Sequence, residues 1–458
     1  MLGLFLTIFV IVLLIFMLYK KVNAHATLLI SGLLLLGFSQ IFSLGDIIDA
    51  KKSLNFGFFD LFQVVNLKMS STLSGLGLTL MCIAGFSSYM DHVGASYSLF
   101  KVFEKPLKSV KNPYFLLIVS YLIVQFLVLF IPSHAGLALL LMVTMYPILV
   151  RTGVSKLSAL AIIGTCQFID HGPGSGNVIM ASKTALIDPA TYFVEYQLPI
   201  TIPIIIAVAI TNYFVQKYFD KKDGFVFDIQ KVEQELNETE GKELKKPPLI
   251  YAVLPIIPLV LILGFSKIFG NPIKMNVPVV MLISTIIAIV FEMIRYKSVI
   301  ETINSIMIFF KGMGHLFVIT VSLIVCGQVF AEGLISVGFV DTLVDFAKNA
   351  GFGAFAIITF VSLIVAISAF FMGSGNAAFF SFAPLLPNIA KSFNIETITM
   401  IAPVQIMTGF GRCISPIAPA IIAIATMTKV SPIQVVKRTA IPMIVAGIVN
   451  LVMTYIYL

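Results

Sequence analysis

Charge is scarce in this chain. Only 11% of its 458 residues are Asp, Glu, Lys or Arg, while 59% are hydrophobic; an ordinary soluble domain carries about 25% charge. A soluble globule so apolar would leave large greasy patches facing water, which excludes a cytosolic enzyme, and no nucleic-acid partner is expected. Cysteine is equally sparse. Cys82, Cys166, Cys326 and Cys413 stand far apart in or beside apolar runs with no C-x-x-C spacing, which reads as small apolar fillers, neither disulfides nor ligands. No H-x-x-x-H or H-E-x-x-H occurs, so no resident metal is expected. Residues 2–18 are apolar, but no basic region precedes them and no A-x-A site follows; they read as a first span, not a signal peptide.

What is present is hydrophobic length. The mean hydropathy is +1.02, and at about 20 residues per crossing the chain holds roughly ten spans. The expected fold is therefore all-α and polytopic. Two apolar runs, 136–150 and 377–390, are short for a crossing. Each follows a small-residue break, Pro132-Ser133-His134-Ala135-Gly136 and Gly373-Ser374-Gly375-Asn376. That pattern fits two re-entrant helical hairpins. Two longer runs are interrupted, one by Asp170-His171-Gly172-Pro173-Gly174-Ser175-Gly176-Asn177, the other across Thr408 to Pro416. Continuous helix tolerates such clusters poorly, so both are expected to unwind, which at membrane depth is stable only inside protein or beside a cavity.

A polar stretch, 217–248, divides the chain into membrane repeats 1–216 and 249–458 and reads as a solvated cytoplasmic linker with one short surface helix. At an offset of 240, Phe115 falls on Phe355, Phe130 on Phe370, Ser133 on Gly373, Gly136 on Asn376 and Pro147 on Pro387. Such identities are few, but the order of elements matches throughout. Five crossings and one hairpin per half make the second half an inverted repeat of the first. Charge placement fits an N-terminus outside: 21 of the 30 Lys and Arg residues then lie on inside segments and seven on outside ones, the bias expected of inner-membrane proteins. The C-terminus also ends outside. Stretches 91–112 and 331–350, carrying Val93-Gly94 and Val337-Gly338, read as helices lying flat on the two faces.

In an inverted repeat the four breaks meet near the bilayer midplane. Helix ends made there expose unpaired N–H groups and a positive dipole end, a natural anion seat. Ser, Asn and carbonyl oxygens at the same place can hold Na⁺. The candidate substrate ligands are Ser133, His134 and Gly136; Ser175, Gly176 and Asn177; Ser374, Gly375 and Asn376; and Thr408, Arg412 and Ser415. Isolated Gly and Ser more often serve helix packing, but G-S-G-N occurs twice, at 174–177 and 373–376. Arg412 is the sharpest single residue, because a charge within a span needs a partner. That partner is a substrate carboxylate held by the guanidinium fork, or Asp170. Asp170, His171, Asn177 and Asn376 are the candidate groups for a coupling ion, Na⁺ or H⁺.

Taken together, Tyr89-Met90-Asp91-His92-Val93-Gly94-Ala95, Gly136-Leu137 with Leu140-Leu141-Met142, Gly373 to Ala377, Gly411 to Pro416, and Ser431-Pro432 with Val435 to Thr439 carry a resemblance. The chain resembles, along nearly its whole length, the DcuC family of anaerobic C4-dicarboxylate carriers. The resemblance implies movement of fumarate, succinate, malate or aspartate across a bacterial inner membrane by symport or exchange, without an organic cofactor, and usually a homodimer. At the first tip the family pattern is richer in hydroxyls, which leaves another organic acid or an amino acid open as substrate. An intramembrane hydrolase using Asp170 and His171, and a channel, are the rival classes. No nucleophile motif accompanies the first, which also leaves the repeat unexplained; the second would show no substrate-driven counterflow.

Overall fold

The structure is a computed structural model, described at all positions except 1, 21, 239–246, 267, 269, 272, 274, 352 and 458. Lys21, Lys242, Lys245, Lys246, Lys267 and Lys274, which enter the charge bias, lie outside the described residues. The described residues form helices. In the first half these are α1 (Leu2–Tyr19), α2 (Ala24–Ile41), α3 (Gly57–Thr72), α4 (Leu78–Val93), α5 (Ala95–Ser109), α6 (Pro113–Leu127), α7 (His134–Thr144), α8 (Tyr146–Arg151), α9 (Lys156–Gly164), α10 (Gly176–Thr184), α11 (Pro189–Thr191) and α12 (Leu198–Lys222). Helix α13 (Ile229–Glu238) lies between the halves. The second half has α14 (Ile257–Gly264), α15 (Val277–Tyr296), α16 (Val299–Asn304), α17 (Ile306–Leu316), α18 (Ser322–Ser336), α19 (Phe339–Asn349), α20 (Ala354–Met372), α21 (Gly375–Phe382), α22 (Leu386–Ser392), α23 (Thr397–Cys413), α24 (Pro419–Met427) and α25 (Pro432–Tyr457). Among the described residues eight helical stretches are long and apolar enough to cross a membrane, and three shorter apolar helices accompany them.

Several local features occur once in each half. Helices α3–α4 and α17–α18 each continue through a π-type turn, Leu73–Gly77 and Phe317–Val321. Each then stops at a left-handed glycine, Gly94 at φ 75° and Gly338 at φ 72°, where a side chain would be strained. The amphipathic helices α5 and α19 follow. Helix α5 packs on the 3₁₀ stretch Leu249–Ile256 and α19 on α1. The tips share a cap as well: Ser133 Oγ accepts from Gly136 N and Ser374 Oγ from Ala377 N, both at 3.2 Å. These caps pair Ser133 with Ser374, one residue off the alignment made at an offset of 240.

Three expectations shift. Helix resumes at His134, so α7–α8 runs 18 residues to Arg151 and has the length of a span. The second interruption is shorter than Thr408–Pro416: α23 stays helical through Cys413 and unwinds only over Ile414–Ala418. Gly409 and Gly411 serve close approach there. A Cβ on Gly409 would overlap the Phe168 carbonyl oxygen, and one on Gly411 the Ala366 carbonyl oxygen. Gly409→Ala is accordingly expected to destabilise the protein by about 1–3 kcal/mol through overpacking, read as a lower thermal midpoint in detergent; an unchanged midpoint would show that the strands of chain part freely. Third, the linker is not simply solvated. Arg151 grips Glu233 with Nε and Nη2 at 2.8 and 3.0 Å, and Lys156 pairs with Glu235 at 2.9 Å. The bond from Arg151 holds the Glu233 carboxyl below its usual range. Val232 and Leu236 pack beneath, so α13 lies against the base of α8 and α9.

The apolar interior has two main cores. One gathers residues of α4, α10, α15, α18 and α21, the other residues of α6, α7, α9, α12, α24 and α25. Helix α23 spans the seam, giving Ile398–Val404 to the first and Ile406–Cys413 to the second. All four cysteines are free and buried. Where α9, α12 and α25 converge, Arg438 is buried between Asp220 at 2.7 Å and Asp223 at 2.7 Å. Ser155 and Ser158 donate to Asp220 at 2.6 and 2.9 Å. Arg438 is one of the positive charges counted above on inside segments, and its side chain is only 3% exposed.

Candidate functional site

The first broken span parts at Gly164 and resumes at Gly176, with Thr165 to Ser175 outside regular helix. The break therefore starts earlier than its glycines indicate, and Gly176 and Asn177 are the first residues of α10. Two contacts fix its path. The Phe168 ring stacks on Phe410 with centroids 5.8 Å apart, and the Phe168 carbonyl lies over Gly409. The chain then turns so that the Asp170 side chain faces α23.

There it meets Arg412. Arg412 Nη2 lies 3.2 Å from Asp170 Oδ2, and both side chains are only 6% exposed. Asn177 Nδ2 donates to the same Oδ2 at 2.6 Å. Arg412 Nη1 donates to Asn376 Oδ1 at 3.3 Å, and Nη2 to the Gln167 carbonyl. Four sequence candidates, the buried Asp170, Asn177 and Arg412 and the half-buried Asn376, thus form one chain of contacts drawn from both halves. Gly375 completes the approach, since a Cβ there would sit 2.8 Å from the Thr408 carbonyl and 3.5 Å from Arg412 Cδ. Ser374 and Ser415 frame it: Ser374 caps α21, and Ser415 Oγ donates to the Phe370 carbonyl at 2.6 Å.

Three buried polar atoms in this cluster have no protein partner: Ser175 Oγ, Asn177 Oδ1 and Arg412 Nε. Orphaned buried groups are costly and uncommon. Here one cationic donor, one hydroxyl and one amide oxygen go unused around the N-termini of α10 and α21, whose first N–H groups and dipoles favour negative charge. The arrangement suits a carboxylate on Arg412 and the two helix ends, or a cation between Asn177, Ser175 and Asp170.

The remaining candidates lie at the margin. Thr408 Oγ1 donates to the Gln405 carbonyl at 2.7 Å within its own helix. His171 sits in the framework of the break, its ring nitrogens 2.9 Å from the Gln125 carbonyl and 3.2 Å from that of Ile169. His134 Nε2 is 3.3 Å from the Gly164 carbonyl. The first tip reaches the cluster indirectly: Cys166 Sγ is 3.9 Å from the His134 carbonyl, one residue before Gln167. Ser133 and Gly136 sit nearer Asp91, whose Oδ2 would be 3.9 Å from a Cβ on Gly136. Sequence reading missed a set of buried glutamines, Gln125, Gln167, Gln197 and Gln405. The signal was present, because an amide within an apolar run is costly unless it is bonded.

The model of the family C4-dicarboxylate anaerobic carrier, DcuC, matches residues 2–458. The anaerobic C4-dicarboxylate transporter DcuC of Escherichia coli strain K12 is 31% identical over 435 residues, 95% of this chain and 92% of the relative. A probable anaerobic C4-dicarboxylate transporter DcuC of Vibrio cholerae serotype O1 is 33% identical over 395 residues, 86% and 84% of the two chains. The solved structure of Neisseria gonorrhoeae MtrF, described as illuminating a class of antimetabolite efflux pumps, superposes with a TM-score of 0.53 over 95% of each chain at 13% identity. At that identity the likeness is one of fold.

Proposed function

This chain belongs to the C4-dicarboxylate anaerobic carrier family, DcuC, and from that premise we propose how it works. It is a secondary transporter of dicarboxylates in a bacterial inner membrane, not an enzyme. Fumarate, succinate, malate and aspartate are the proposed substrates, moved by symport or exchange. The observation that carries the site is the unpaired Arg412 Nε, together with the unpaired Ser175 and Asn177 oxygens, in a cluster drawn from both halves.

One substrate carboxylate sits on Arg412 between the N-termini of α10 and α21, near Ser175, Gly176, Gly375 and Asn376. The second reaches toward Ser133, Gly136 and His134. Asp170 competes with the substrate for the guanidinium. When the substrate takes Arg412, Asp170 is freed to carry H⁺, or Na⁺ together with Asn177. Residues 1–216 and 249–458 act as inverted repeats, with α6–α8, whose span-length returning limb is parted at Met145, and α20–α22 as the re-entrant hairpins, both termini outside and the linker inside. The repeated order of elements, the paired serine caps and the paired glycine stops support that reading. Access alternates as the hairpins and broken spans move against α2, α15 and their neighbours, and the assembly is a homodimer.

Counterflow in proteoliposomes with labelled acids tests this. Exchange with succinate, fumarate, malate or aspartate is expected, and monocarboxylates and neutral amino acids should fail. A panel in which only another acid exchanges would replace the substrate; leakage without counterflow would favour a channel. Asp170→Asn is expected to keep dicarboxylate exchange within about tenfold while abolishing its response to a pH or Na⁺ gradient. Retention of that response would move the coupling group elsewhere.

A further inference from the structure

Outside the ligand candidates, two buried side chains converge on one main-chain oxygen, and a third braces them. Gln197 Nε2 and Gln405 Nε2 each donate to the Asp170 carbonyl at 2.9 Å, using both acceptor positions of that oxygen. Gln197 Nε2 also donates to Gln405 Oε1 at 2.9 Å, and Tyr192 OH to the same Oε1 at 3.2 Å. Gly172 N donates to Gln197 Oε1 at 3.3 Å. The network fixes the amide orientations: with both NH₂ groups on the carbonyl, each Oε1 meets only donors. Gln197, Gln405 and Tyr192 are all buried.

The local helix makes the ring possible. Residues Tyr192–Gln197 form a π-type turn. Its wider i→i+5 winding brings Tyr192 and Gln197 toward one face, where an α-helix would splay them apart. The chain is thereby pinned on both sides of His171, by the carbonyl of 170 and the N–H of 172. The Asp170 side chain points away, to Asn177 and Arg412.

We propose that Gln197 and Gln405, braced by Tyr192, are positioning residues that set how strongly Asp170 competes for Arg412, and so set the affinity for dicarboxylate. The proposal rests on Arg412 being the carboxylate-binding group. With its main chain clamped, Asp170 meets Arg412 through a single oxygen at 3.2 Å, short of the paired fork that carboxylate and guanidinium prefer. Loosening the clamp lets Asp170 close that fork and exclude the substrate.

The test measures succinate counterflow, and succinate binding by calorimetry on purified protein. Gln405→Leu is expected to raise KM and Kd about tenfold, mainly through loss of its bond to the Asp170 carbonyl, with the maximal rate within about threefold. Tyr192→Phe should move both constants the same way by about twofold to threefold. In an Asp170→Asn background both substitutions should leave the succinate Kd unchanged, because the competitor is gone. An unchanged Kd in folded Gln405→Leu, or an equal loss with and without Asp170, overturns the proposal; should Gln405→Leu fail to insert, Tyr192→Phe decides by the same criterion. Wild-type protein that neither binds nor exchanges any C4-dicarboxylate would instead end the reading of the site itself.

Discussion

Replacing Arg412 by Ala is expected to cut dicarboxylate exchange by at least about 30-fold, since losing one partner of a buried charged contact costs about 2–5 kcal/mol. Two effects must be separated. The truncation removes the proposed ligand, and it also leaves Asp170 buried without its cation, which by itself destabilises by about 3–5 kcal/mol. A double variant, Arg412→Met with Asp170→Asn, removes both charges at similar volume. It should recover inserted, folded protein and still fail to exchange. Arg412→Lys keeps the charge but not the planar fork and should lose most activity as well. Exchange at the wild-type rate by folded Arg412→Lys and by the double variant together would remove Arg412 from the site.

The second large effect lies where α9, α12 and α25 converge. Asp220→Ala should destabilise the protein by about 3–5 kcal/mol, because Arg438 loses its buried partner. Asp223, the other carboxylate, has a side chain 49% exposed and screened by solvent. Ser155 and Ser158 lose their acceptor too, loosening the start of α9. The measurements are the amount of inserted protein and its thermal midpoint. The succinate KM of the surviving protein should stay within about twofold of wild type, since these residues sit at the far end of α9 from the break. A normal midpoint would show that water enters and screens Arg438.

Span-scale features were legible because the bilayer is a simple solvent. Apolar runs of fixed length, Gly and Pro clusters and a stray arginine each have one dominant cause. Arg412, Asp170, Asn177 and Asn376 stood out because polar atoms at broken helices need partners, and they do meet. The glutamine ring was not legible, since its convergence depends on a π-type turn that leaves no pattern in Tyr192–Gln197. Gly409 and Gly411 misled for a related reason. Glycine both breaks helices and admits neighbours, and only the carbonyls of Phe168 and Ala366 decide between the two. The burial of Arg438 was not legible either, because its carboxylate partners come from α12 and the residue that follows it, far away in sequence.

The four sulfhydryls are all enclosed, none more than 8% exposed. The natural chain is thus its own blank for thiol-reactive dyes. Single reporters placed at Lys51 and Lys437, both at the surface, can be labelled in sealed vesicles to read which side each faces, without first stripping native cysteines. Because Cys166 and Cys413 pack beside Gln167 and Arg412, leaving them in place spares the region most sensitive to substitution.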